Sequence, residues 1–187
     1  MPTYFHREPN CHEVDNHKVL GMTIDCNLSW SSISKKVYQL SKIKHFENLH
    51  ARKLFFDAHI QSIIDFGSTL WDSASANTLK PLVSLHKTAL KAILLETTTL
   101  AISDYNFLST LPLKERLNYS KGVLIHKIMS GKVPPSLRAK FSLNQSRHSG
   151  KLNIPIPRID LFRSSLVYSG SVLWNALPDS LILPPEL

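Results

Sequence analysis

From Thr78 to Leu95, apolar side chains return at three- and four-residue steps: Leu79, Leu82, Val83, Leu90, Ile93 and Leu94. At 3.6 residues per turn these positions share one face of a helix. Lys80, Lys87 and Lys91 fall on another face, at i, i+7 and i+11, where side chains stack along one side of the cylinder. A helix patterned this way is stable only when its apolar face packs on partners. The chain must therefore supply more helices, and its pattern says where.

A helix is expected over 31–46, striped by Val37, Leu40, Ile43 and Phe46, with Lys35, Lys36, Lys42 and Lys44 off the stripe. A second is expected from Leu49 to Phe66, with Asn48 as its N-cap and Gly67 as its stop. Leu54, Phe55, Ala58, Ile60, Ile63 and Ile64 give it a wide apolar face. Ser73 to Asn77 is a small-residue linker. A short helix is expected within 101–110. Pro112 suits a first helical position for a helix that runs to Ser130 and stops at Gly131, buried along Leu113, Leu117, Leu124 and Ile128. Pro134-Pro135 can open a short helix through Phe141. Residues 142–149 are polar and basic, and Ile154-Pro155-Ile156-Pro157 breaks regular structure. Leu161 to Tyr168 is expected to be extended, and Gly170 to Leu177 a last short helix. At the other end, 1–17 is polar and aperiodic. Residues 18–25, with Val19, Thr23 and Ile24, suit a strand turning at Cys26-Asn27. The expected class is mainly α: a helical bundle with a short N-terminal strand or hairpin and an irregular C-terminal segment.

The chain has 187 residues, 43% hydrophobic, which fits one ordinary domain or one core with an appendage. Its net charge of +8 points to a polyanionic partner, nucleic acid ahead of an acidic membrane surface. The excess is concentrated in 112–163, which hold eleven Lys and Arg against two Asp and Glu. Two cysteines, Cys11 and Cys26, do not make a disulfide framework. Met1 to Asn16 has no apolar signal core, and no apolar run reaches about 20 residues. The expected location is intracellular, nuclear or cytoplasmic, with no membrane partner.

Gripping nucleic acid takes cations aimed at phosphates, and three patches qualify. Lys35, Lys36, Lys42 and Lys44 with Arg52 and Lys53 form the first. The Lys80, Lys87 and Lys91 stripe is the second. Arg138, Lys140, Arg147, Lys151, Arg158 and Arg163 form the third. The bland reading of each is a solvated helix face. Trp30, Trp71 and Trp174, with Tyr168, read as core or interface anchors rather than base-stacking groups. His6, Cys11, His12, His17 and Cys26 are poorly spaced for zinc, with no C-x₂₋₄-C pair; no metal residue is named. Phosphoryl transfer needs clustered carboxylates for two metal ions. The aspartates here stand singly, no Asp-Asp pair occurs, and all six glycines are isolated. No catalytic residue is named.

Lys18-Val19-Leu20-Gly21-Met22-Thr23-Ile24-Asp25, then Leu28-Ser29-Trp30, are echoed downstream by Ala51 to Phe56, Asp65-Phe66-Gly67 with Trp71, and Leu111-Pro112-Leu113-Lys114-Glu115-Arg116. The tail adds Tyr168-Ser169-Gly170 and Leu173-Trp174-Asn175-Ala176-Leu177-Pro178. In order and spacing these blocks resemble the C-terminal part of the reverse transcriptases of non-LTR retrotransposons, of the LINE, jockey-like kind. The match departs at Ser31-Ser32-Ile33, which lacks the histidine common before that isoleucine.

The resemblance implies a remnant of the palm and primer-grip hairpin over 1–30, a thumb-like bundle over 31–130 and a basic tail over 131–187. It implies that Leu20 and Gly21 approach the primer end; the alternative for Gly21 is a bulge or tight strand crossing. It also implies an RNA or RNA–DNA duplex as partner, together with the palm and fingers, which this chain lacks. The whole enzyme would use Mg2+, held by an Asp-Asp hairpin absent here, so no cofactor and no independent activity are expected. The alternatives are an inert relic of a mobile element and a small all-α protein-interaction domain.

Overall fold

In the computed structural model, the described residues are 16–19, 22–25, 30–45, 48–144 and 150–178. They are mainly helical. Asn16–Val19 (β1) and Met22–Asp25 (β2) pair antiparallel, with Asn16 opposite Asp25 and Val19 opposite Met22. Leu20 and Gly21, between the two strands, lie outside the described residues.

Ser31–Ile43 forms α1, which buries Ile33, Val37 and Leu40. Leu49–Phe56 forms α2, and Asn48 caps it by accepting the Ala51 N–H at 2.8 Å. The expected single helix to Phe66 then changes its winding. Asp57–Gln61 is a π turn, closed by the Ser62 N–H donating to the Asp57 carbonyl, before Ser62–Phe66 (α3) resumes.

The turn explains which side is buried. Arg52, Phe56, Ile60 and Ile64 are buried at strict four-residue spacing. On an ordinary helix that row would drift by about 120° over twelve residues, and the underwound π turn holds it on one face. The expected apolar face was therefore displaced: Ile60 and Ile64 are buried, whereas Leu54 is 60% exposed.

Gly67 separates α3 from Ser68–Trp71 (α4). A Cβ on Gly67 would run into the Trp71 indole, so this glycine is required by close approach rather than by its backbone angles. Gly67→Ala is expected to cost about 2 kcal/mol through overpacking, read as a lowered urea midpoint. An unchanged midpoint would mean that the indole can move aside freely.

Ala76–Leu94 forms α5, started by Ser75, whose Oγ accepts the Thr78 N–H at 3.2 Å. Its buried side is Leu82, His86, Ala89, Leu90, Ala92 and Ile93. Ile102–Phe107 is α6 and Leu113–Met129 is α7, with Pro112 in the N-cap position. Past Ser130, Gly131 takes a positive φ of 70°. The Arg138 guanidinium, one turn into Pro135–Arg138 (α8), donates Nη1 to the Ile128 and Met129 carbonyls that α7 leaves open.

Residues 161–168 are helical where extended chain was expected. Asp160–Ser164 (α9) and Leu166–Asn175 (α10) meet at Ser165, whose Oγ accepts the Tyr168 N–H at 3.4 Å and so restarts the helix. Tertiary packing then holds α10: Gly170 lies so close to Ile125 of α7 that a Cβ would come within 2.7 Å of it.

Two apolar clusters result, and α7 belongs to both. Its first half puts Leu113 and Leu117 with Trp30, Phe56, Ile64, Trp71, Leu90 and Ile93. Its second half puts Ile125 and Ile128 with Leu152 and Trp174. All three tryptophans act as anchors. Trp30 donates Nε1 to the Thr78 carbonyl at 2.9 Å and meets Trp71 edge to face, centroids 5.0 Å apart. Trp174 donates Nε1 to the Gly150 carbonyl at 2.8 Å, and Asn175 holds both the N–H and the C=O of Leu152 at 2.8 Å. No described helix is long and apolar enough to cross a membrane.

Candidate nucleic-acid interface

The residues named as cations divide into those that face solvent and those tied into the fold. On α1, Ile33, Val37 and Leu40 point inward. At about 100° per residue, Lys35 and Lys42 then lie on the opposite side and Lys36 on the flank. On α5, Lys80, Lys87 and Lys91 fall within about 40° of one another, away from Leu82, His86 and Ile93. The two helices pack together, and together they carry six lysines and not one Asp or Glu. None of the six has an ion-pair partner among the described residues. Lys42 lies over the Tyr38 ring at 5.0 Å, and Lys80 donates to the Asn77 side-chain carbonyl at 3.1 Å.

The rest of the first patch is turned to other uses. Arg52 is only 7% exposed and donates Nη1 to the Lys44 carbonyl at 2.6 Å, closing the end of α1. Lys44 itself is half-buried. Lys53 is paired with Asp57 one turn on. In the third patch Arg138 caps α7, Arg163 sits 3.6 Å from Asp160, and Lys140, Lys151 and Arg158 are scattered over loops and turns. Leu20, Gly21 and Arg147 lie outside the described residues, as do His6, Cys11, His12 and Cys26.

The carboxylates show the complementary distribution. Asp65 takes both Nε and Nη2 of Arg116 at 2.6 Å, Asp72 takes Lys121 at 2.5 Å, and Asp57 takes Lys53. Asp104 accepts the Ala101 N–H at 2.7 Å at the start of α6. These acids are thus engaged within the fold, while the lysines of α1 and α5 have no ion-pair partner among the described residues, leaving both helices net positive. Carboxylates tied up in this way do not suit a two-metal centre. Among the described residues no three His, Cys, Asp or Glu come together as metal ligands would.

A polar chain that sequence reading missed runs through the core. Arg116 holds Asp65, Gln61 Nε2 donates to Asp65 at 2.8 Å, and Gln61 Oε1 lies 3.3 Å from His86 Nε2. With Gln61 Oε1 accepting, the proton sits on His86 Nε2, and Nδ1 is buried without a partner. Burial, aided by the positive charge of Arg116 and opposed by Asp65, lowers the His86 pKa to about 4. The hydrogen bond to Asp65 raises that of Arg116, fixing it as a cation. The outer end of the chain borders a cleft of about 420 Å³ between Asp65, Arg116, Tyr119 and the Ser109–Leu111 turn.

No protein-family model, curated protein or solved structure matches this chain.

Proposed function

We propose that this chain corresponds to the primer-grip, thumb and tail portion of a non-LTR retrotransposon reverse transcriptase. In this reading it contacts the template–primer duplex and carries out no polymerisation itself. The observation that carries the binding role is the pair of packed helices, α1 and α5, with six lysines, four of them exposed, and no carboxylate. The family reading draws support from where the resembling blocks lie. Asp65 of one block holds Arg116 of another, Trp30 of a third meets Trp71 edge to face, and the tail block places Gly170 against Ile125. Residues far apart in sequence thus form the joints of one bundle.

The test is binding of an RNA–DNA duplex by the intact chain across a salt series. Phosphate contacts release counterions, so affinity is expected to fall linearly in log–log form as salt rises. Lys87→Gln with Lys91→Gln should lower that slope by about 2, roughly one per contact. Absence of binding at low salt would remove the proposal. The alternative of an all-α protein-interaction domain is favoured by a different observation: Phe66, Leu70, Phe107 and Tyr119 are each more than half exposed.

A further inference from the structure

Among the exposed aromatic side chains, Tyr38 has a distinct setting. It is 62% exposed on the outward side of α1, adding nothing to the core. Its helical neighbours at i−3 and i+4 are Lys35 and Lys42, positions whose side chains lie beside it. The Lys42 ammonium stands 5.0 Å from the ring centroid, a cation–π contact that holds the ring out on the surface. The other exposed aromatics among the described residues have an acid close by: Phe66 follows Asp65, Phe107 is one turn from Asp104, and Tyr119 is one turn from both Glu115 and Arg116. Among the described residues, Tyr38 alone is an open aromatic lying in a row of cations on a helix without carboxylates.

Resting on the nucleic-acid reading above, we infer that Tyr38 is a stacking platform for an unpaired base, with Lys35 and Lys42 taking the neighbouring phosphates. A duplex hides its base faces within the stack and offers this site only phosphates. A single strand offers both a π-face and alternating charge, the combination that aromatic-plus-cation grooves bind without sequence preference. An acidic protein segment would satisfy the lysines and leave the ring unused. The ligand class is therefore single-stranded RNA or DNA, held beside the duplex that the lysines of α5 contact.

The experiment compares the intact protein and its variants on fluorescent oligothymidylate and on an abasic strand of the same length, at low salt. Tyr38→Ala is expected to weaken oligothymidylate binding roughly tenfold and leave the abasic strand unchanged, while Tyr38→Phe retains full affinity. Lys42→Gln should weaken both strands alike. If Tyr38→Ala affects both strands equally, or neither, the stacking site is overturned while the nucleic-acid reading stands. If the unmodified protein binds neither strand nor the duplex, both fall. Equal dependence on Tyr38 for phosphatidylserine vesicles would assign the face to a membrane surface and likewise overturn the inference.

Discussion

Lys121→Met is expected to destabilise the protein by about 4 kcal/mol. Lys121 occupies the buried row of α7 between Leu117 and Ile125, and its ammonium lies 2.5 Å from Asp72. The two side chains are only 8% and 16% exposed, so water does little to screen either. Removing the lysine alone leaves the Asp72 carboxylate in a low-dielectric joint with no counter-charge. The pair itself adds far less than this, because desolvating two ions offsets most of their attraction. Lys121→Met combined with Asp72→Leu is accordingly expected to regain most of the loss. Urea midpoints of the single and double variants measure the coupling. A single variant within about 1 kcal/mol of the parent would mean that Asp72 reaches solvent and the joint is not dry.

Acid is expected to remove a further contribution of up to about 3 kcal/mol, and its origin is His86. The folded ring stays neutral down to about pH 4, whereas in the unfolded chain it protonates near its ordinary 6.5. Between those values the unfolded state binds more protons than the folded one. The stabilisation is therefore complete above pH 6.5 and is lost as pH falls through 4. Nearly all of the side chain is enclosed, with Phe56 at its edge and Gln61 taking Nε2. A proton arriving on Nδ1 would meet no acceptor. His86→Leu should flatten the stability profile between pH 6.5 and 4. A profile unchanged by the substitution would show that His86 titrates normally within the fold.

What could be read from the chain follows a physical line. Local signals came through: Asn48 caps α2, Pro112 and Gly131 bracket α7, and the Leu82, Leu90 and Ile93 face of α5 is buried. Each depends on residues within a turn or two of one another. The π turn was not legible, because nothing in Asp57 to Gln61 disfavours an ordinary helix, and it arises where tertiary packing keeps Phe56, Ile60 and Ile64 on one side. The same holds for 166–168, expected to be extended but part of α10, which packs on α7 where Gly170 approaches Ile125.

Polar residues in the core were missed for a related reason. Arg52, His86 and Lys121 each fall on the apolar row of their helix, a signal that was available. Their partners lie elsewhere, however, and Asp72 is 49 positions from Lys121 in the chain. Among the candidate cations, periodicity placed Lys80, Lys87 and Lys91 on an outer face. It could not show that Arg52 and Lys53 have partners of their own.

The sharing of α7 by both apolar clusters has a mechanical meaning. Seventeen residues make a rod about 25 Å long, gripped near one end by Trp71 and its neighbours and at the other by Trp174. Between those two grips the rod is also tied to the bundle by two ion pairs, Arg116 with Asp65 and Lys121 with Asp72. The tail helix α10 and the helices of the first cluster are thus joined through one shared strut, and a change of packing at either end bears on the other.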